Sequence, residues 1–255
     1  MFRVVIPARF ASTRLPGKVL APVGGRPMIE HVHRLAVLSG AHEVVVATDD
    51  ERVRAVCSAF GAAVELTSPD HPSGTDRIAE VARLRHWDDD SIVVNVQADE
   101  PLLPPALIDQ AAALLAGDPA ADIATLCTPI TAIDDYLDPD VVKVVTRADG
   151  RALYFSRAPI PWNRDGAAAG LASQQDWRGS RRHIGIYAYR IGALRRLAAS
   201  GPTPLEQIER LEQLRALQSG LAIAVAEAIE APGPGVDNAA DLAKVERLFA
   251  IARRT

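Results

Sequence analysis

The sequence predicts an α/β fold built on an open, mostly parallel sheet with helices on both faces. Three observations carry that expectation. Short β-branched runs alternate with helix-period segments through the first half of the chain. The runs are apolar almost throughout, as strands covered on both faces are. And 255 residues at 48% hydrophobic and 24% charged supply apolar material for one large core.

Residues 2–6, 43–47, 63–66, 91–96 and 122–127 read as strands. Between them, Pro27 opens a segment with Met28, Val32, Leu35 and Ala36 on one face. Pro104 and Pro105 open another with Leu107, Ile108, Ala111, Leu114 and Leu115, proline being well placed in a first helical turn. The βα alternation implies the doubly covered open sheet. After about residue 128 the rhythm changes, with strands at 141–146, 152–155 and 184–189 and a Gly, Ala and Arg-rich stretch at 162–182 that reads as a mobile loop. Thr203, Pro204 and Glu206 have the form of a capping box, and Ile208, Leu211, Leu214 and Leu217 give one apolar helix face behind it. A last helix starts near Ala239. The chain therefore reads as a single domain over 1–255, with 129–220 inserted as a lobe on the sheet's edge.

Lysine and arginine number 28 against 32 acidic residues, a net charge of -4. No sequence-wide positive field draws the chain to nucleic acid or anionic lipid, so neither is expected as a partner. Of the 28 bases only Lys18, Lys143 and Lys244 are lysines. Cys57 and Cys127 are too few for a disulfide framework or a zinc site, which favours reducing cytoplasm. The start has no long apolar signal region, and no apolar stretch reaches the length of a membrane span. His31 and His33 point apart on a helix and bring no third zinc ligand.

The first strand ends at Pro7, and the eleven residues 8–18 place Arg9, Arg14 and Lys18 with two hydroxyls at the carboxyl edge of the sheet, where ligands bind in open α/β folds. Lys18 is followed by Val19 and the glycines are misplaced, so this is neither a Walker A loop nor a dinucleotide fingerprint. Backbone amides with three counter-charges can still cradle a triphosphate. Gln97, Asp99 and Glu100 crowd the end of another strand, where a carboxylate can meet a metal held against phosphate.

These residues fall in blocks: PARFASTRLPGK at 7–18, GRPM at 25–28, ATD at 47–49, HPSGTDR at 71–77, VNVQADEP at 94–101, VKV at 142–144, ALYFSRA at 152–158, RHIGIY at 182–187, PLE at 204–206, LEQLR at 211–215 and GVD at 235–237. In this order and at this spacing they resemble the 3-deoxy-manno-octulosonate (KDO) cytidylyltransferases nearly end to end. The resemblance implies a Rossmann-like sheet of the nucleotidyltransferase type, whose inserted lobe binds sugar and dimerises. It implies an enzyme that joins CTP to KDO, giving CMP-KDO and pyrophosphate, as a cytoplasmic homodimer supplying lipopolysaccharide synthesis. A cytidylyltransferase for another acidic sugar, an 8-amino KDO analogue or sialic acid, and a nucleotide-binding regulatory subunit without turnover are the other readings.

By resemblance, Asp99 and Asp237 hold Mg²⁺ and act with Lys18 and Arg14 in catalysis. Asp237 alone would otherwise read as a helix N-cap. Ala8, Arg9, Arg14, Lys18, Ser73, Arg77 and Gln97 are implied around CTP, although Ser73 or Thr75 can equally cap the helix that follows. The sugar carboxylate calls for a bidentate donor, and Arg157 is the choice. His183 and Tyr187, four apart on a strand, share a face, and the resemblance places them on the sugar with Glu206 and Gln213. Glu206 can equally be the second half of the capping box, and Glu212 and Gln213 a solvated helix face. Two residues depart from the family: Ala98 stands where glycine is usual and Gln207 where histidine is. A positive φ at Ala98 would strain the turn; glutamine at 207 bears on sugar selectivity.

Overall fold

The computed structural model describes residues 1–11, 15–166 and 173–252. In chain order the elements are β1 (Phe2–Pro7), β2 (Pro22–Val23), β3 (Arg26–Pro27), α1 (Met28–Val37), β4 (Glu43–Thr48), α2 (Glu51–Ala59), β5 (Ala63–Leu66), α3 (Gly74–Leu84), β6 (Ile92–Asn95) and α4 (Pro105–Gly117). The second half adds β7 (Ile123–Pro129), α5 (Ile133–Leu137), β8 (Lys143–Thr146), β9 (Ala152–Ser156), β10 (Arg181–Arg190), α6 (Ile191–Ala199), α7 (Pro204–Glu209), α8 (Gln213–Gln218), β11 (Ile223–Glu227) and α9 (Ala239–Ala252).

The main sheet runs β11-β7-β10-β6-β1-β4-β5, with β8 and β9 extending from β10. β1 pairs parallel with β4 and β6, β4 with β5, and β7 with β11. Only β10 is antiparallel to its neighbours β6 and β7 within that path. The continuous apolar runs are explained by burial on both faces. Val4 and Ile6 of β1 and Val46 of β4 pack with Ile29, Val32, Val53, Leu107 and Ile108 on one side of the sheet. Val5, Val45 and Ala47, one residue out of step, pack with Ile78, Val81, Leu194 and Leu214 on the other. Each such fully buried aliphatic side chain contributes about 1.5–3 kcal/mol of transfer free energy.

The stretch 129–220 is not confined to an edge. It supplies β10 to the middle of the sheet, and its helices α6 and α8 cover one sheet face through Leu194, Leu197 and Leu214. The single apolar helix expected behind Thr203 is two helices. Arg210, at φ 54, breaks the chain after Glu209, and Ile208 is 78% exposed rather than inward. Glu206 does accept from the amide of Thr203 at 3.1 Å, as a capping box requires. Ala98 is buried and is not among the residues with positive φ, so the strained turn expected there does not occur. Part of the 162–182 loop, residues 167–172, falls outside the described residues. The described part is tied down, with Asn163 donating to Asp176 and the Gln174 amide donating to the carbonyl of Asn163 at 3.0 Å.

Candidate active site

The carboxyl ends of β1 and β6 face the loop that precedes α9, and there Lys18 meets two carboxylates. The loop leaving β1 closes on itself, Gly17 donating its N–H to the carbonyl of Phe10 at 3.1 Å. Gly17 sits at φ 69 with the Phe10 ring 3.2 Å from where a Cβ would lie, so any larger residue would be strained there and would push on the ring. The Arg52 guanidinium lies over the Phe10 ring, 3.5 Å from its centroid. This fold-back sends Lys18 across to β6. Its Nζ donates to Asp99 Oδ2 at 2.6 Å and to the carbonyl of Val236 at 2.8 Å, and lies 3.6 Å from Asp237 Oδ1.

Asp237 reaches this point because residues 233–237 press against the turn after β6. Val236 donates its N–H to the carbonyl of Asp99 at 2.9 Å. A Cβ on Gly235 would stand 2.8 Å from Glu100 Oε1. The alternative role of Asp237 as an N-cap is filled by its neighbour: Asn238 Oδ1 accepts from the amides of Ala240 at 2.8 Å and Asp241 at 3.0 Å. Glu100 adds a third carboxylate, and burial together with the Asp99 charge pushes it up to about 7. Arg14 lies outside the described residues.

Arg9 ties the loop to the segment before α3, Nη2 donating to the carbonyl of His71 at 2.6 Å. Ala8 is fully buried, its N–H spent on Ala47 at 2.8 Å. Ser73 caps α3, accepting from the Asp76 amide at 3.2 Å, and its hydroxyl faces Glu212 Oε1 at 3.2 Å. Arg77 is fully buried and committed: Nη2 donates to Asp49 Oδ2 at 2.8 Å and Nη1 to the Thr67 hydroxyl.

A cavity of about 130 Å³ is lined by the polar residues Thr75, Asn95, Gln97, Tyr187, Glu212 and Gln213 and by apolar ones such as Ile123 and Leu197; Lys18, Asp99, Asp237, Arg157 and His183 are not in its lining. It brings together Gln97, Tyr187 and Gln213. Two buried polar atoms in its wall, Asn95 Oδ1 and the Tyr187 hydroxyl, have no hydrogen-bond partner among the described residues. Buried polar groups are rarely left unpaired, so these two atoms call for a partner in the cavity, water or a polar ligand. His183 and Tyr187 do share a face, their rings 5.2 Å apart, and Phe155 packs edge-on against His183 at 5.1 Å. A bulge between Ile184 and Tyr187 takes up two residues and so preserves the shared face. Burial, then the charge of Arg182, lowers His183 to about 3, so its imidazole is neutral. His183 Nε2 lies 3.0 Å from Thr125 Oγ1, whose own proton has a closer acceptor in the Ile186 carbonyl at 2.7 Å. The arrangement favours the tautomer with the hydrogen on Nε2, which leaves Nδ1 as the acceptor.

Arg157 follows β9, with Nε on the carbonyl of Glu209 at 2.7 Å and Nη1 on that of Pro139 at 2.9 Å. Glu206 does not line the cavity; it lies 3.3 Å from Arg215 and holds the α7 cap. Thr75 belongs to the 73–77 block that the resemblance places around the nucleotide, whereas Asn95 and Glu212 are not among the residues expected at the site. Of these two, an asparagine inside the apolar run 92–96 is the one with a visible signal in sequence. Among the described residues no group of three or more His, Cys, Asp or Glu could hold a metal by itself, and no helix is long and apolar enough to cross a membrane.

A cytidylyltransferase family model matches residues 3–225. The 3-deoxy-manno-octulosonate cytidylyltransferase of Thioalkalivibrio sulfidiphilus is 54% identical over 248 residues, covering 97% of this chain and 98% of its own length. That of Halorhodospira halophila is 55% identical over 249 residues, 96% of each chain. Among solved structures, a CMP:2-keto-3-deoxy-manno-octonic acid synthetase complexed with CTP superposes with a TM-score of 0.88 at 42% identity, over 98% of both chains. The chain belongs to the cytidylyltransferase family, among the 3-deoxy-manno-octulosonate cytidylyltransferases.

Proposed function

We propose that the chain transfers the cytidylyl group of CTP to KDO. The anomeric C2 hydroxyl attacks the α-phosphorus, the bond to the β-phosphate breaks, and CMP-KDO and pyrophosphate form. The observation that supports this most is the meeting of Lys18, Asp99 and Asp237 at the carboxyl edge of a chain so close to enzymes named for that reaction. Sialic acid, the 8-amino analogue and a silent regulatory subunit are not favoured by those names.

Phosphoryl-type transfer is chiefly positioning and charge neutralisation. Arg9, Arg14 and Lys18 supply cations to the triphosphate, and Lys18 turns from Asp99 to the leaving pyrophosphate when substrate is bound. Ala8, Ser73, Arg77 and Gln97 form or brace the CTP side, Arg77 by fixing Asp49 at the end of β4. The two carboxylates fit Mg²⁺: both are hard oxygen donors gathered on one cationic position, and this ion takes one or two carboxylates with phosphate and water. When bound it would neutralise the α-phosphate and acidify the sugar hydroxyl. Arg157 receives the sugar carboxylate, while His183 Nδ1, Tyr187 and Gln213 meet hydroxyls; Glu206 serves through α7.

The same reading makes the protein a cytoplasmic homodimer serving lipopolysaccharide synthesis. Leu153 and Ile208, 57% and 78% exposed on β9 and α7, are apolar surface suited to a second copy. The test is pyrophosphate release with KDO and each of CTP, ATP, GTP and TTP. Strong preference for CTP is expected, and equal turnover with ATP would refute the proposal.

A further inference from the structure

Arg77 and Arg157 are held in opposite ways. Arg77 is buried and its charge is cancelled by Asp49 at 2.8 Å. The Arg157 guanidinium is oriented by main-chain oxygens, those of Glu209 and Pro139, and its ion pair among the described residues is with Asp140, 3.7 Å away with a side chain 94% exposed. Carbonyl dipoles fix a guanidinium without neutralising it, and a solvated, mobile carboxylate adds little. The second terminal nitrogen of Arg157 makes no hydrogen bond among the described residues. The cation is thus rigid and its charge is unspent.

Glu209 supplies most of that rigidity through two different groups. Its side-chain carboxylate accepts from the Arg157 N–H at 2.9 Å, the Ser156 hydroxyl at 2.6 Å and the Tyr154 hydroxyl at 3.4 Å. Its main-chain carbonyl accepts from Arg157 Nε at 2.7 Å. That carbonyl is available because Glu209 ends α7, where the last carbonyls lack helical partners. Arg210, left-handed at φ 54, then returns its N–H to Glu206 and turns the chain away. A non-glycine residue holds such a conformation only where its surroundings require it. The Ser156 hydroxyl is buried, so the carboxylate also satisfies a donor that would otherwise be stranded.

We propose that Glu209 is a positioning residue for Arg157: gripping the strand end at the N–H and the guanidinium at Nε, it sets the orientation in which Arg157 receives the carboxylate of an acidic sugar. The inference rests on the reading of Arg157 given above. Glu209 itself does not touch substrate.

The test compares steady-state constants for Glu209→Gln, Arg157→Ala and the double variant, each beside thermal unfolding. Glutamine keeps the size but offers one acceptor oxygen to donors that now share two. Glu209→Gln is expected to raise the KM for KDO about tenfold, as loss of hydrogen bonds to a charged acceptor implies, with the KM for CTP unchanged. The double variant is expected to be no worse than Arg157→Ala, because the two act as one unit. If Arg157→Ala raises the sugar KM and Glu209→Gln does not, or the effects add, the positioning role is overturned and Arg157 keeps its assignment. Equal losses toward CTP and KDO with a lowered unfolding temperature would make Glu209 a structural residue only and overturn it too. If Arg157→Ala leaves the sugar KM unchanged, the reading of Arg157 fails and takes this inference with it.

Discussion

Asp99 and Asp237 share one ammonium group, Lys18 Nζ lying 2.6 Å from the first and 3.6 Å from the second. Three distant segments of chain converge there, and the capping role that would have explained Asp237 belongs to Asn238. Asp99→Asn and Asp237→Asn are each expected to remove most Mg²⁺-dependent pyrophosphate release, with the double variant little worse than either. Asn238→Ala should instead cost about 0.5–2 kcal/mol of stability with activity per folded molecule kept. Thermal unfolding measured beside turnover separates the two; an active Asp237→Asn would remove that residue from the ion.

Ala98 is 6% exposed within the core cluster and free of left-handed strain. Ala98→Gly therefore loses buried methyl contacts and adds backbone entropy, a destabilisation of about 0.5–1 kcal/mol. Denaturant midpoints check this, and a stabilised glycine variant would show that the turn favours glycine after all.

Burial holds His183 near 3 against its ordinary 6.5. Between those values the unfolded chain binds the proton and the folded chain does not, so stability rises with pH there. The contribution is fully present above about 6.5 and is lost as pH falls toward 3. His183→Gln cannot titrate, so its stability should fall less steeply than the parent's across that window in denaturant titrations. Parallel curves would mean that His183 is protonated in the folded state.

Arg77 should register in stability first. Its pair with Asp49 is buried on the arginine side, with Asp49 17% exposed, so Arg77→Met leaves a mostly buried carboxylate alone. A loss of about 3 kcal/mol is expected in chemical unfolding; a loss below that of an ordinary surface change would show that Asp49 is readily resolvated.

The sheet and the carboxyl-edge residues were legible because their signals are local. The strand at 2–6 is apolar but for Arg3, Lys18 closes the loop that leaves it, and Asp99 lies in the turn after the strand at 91–96. What escaped depends on tertiary context. β11, Ile223–Glu227, is not among the strands read from sequence; its run of two β-branched residues between alanines is short, and it is fixed as a strand by parallel pairing with β7. β10 was recognised as a strand, but nothing in its residues says that it lies antiparallel between β6 and β7. Arg210 ends α7 without glycine or proline to announce it, so the apolar spacing of Ile208, Leu211, Leu214 and Leu217 imitates one helix. Glu212, on an apparently solvated face, lines the cavity because that break reorients α8.

Pyrophosphate release from CTP in parallel reactions with KDO, 8-amino KDO and sialic acid tests the account most directly. The proposed function predicts turnover with KDO well above the other two. Turnover with sialic acid or the amino analogue equal to or above that with KDO, or none with any sugar, would contradict it.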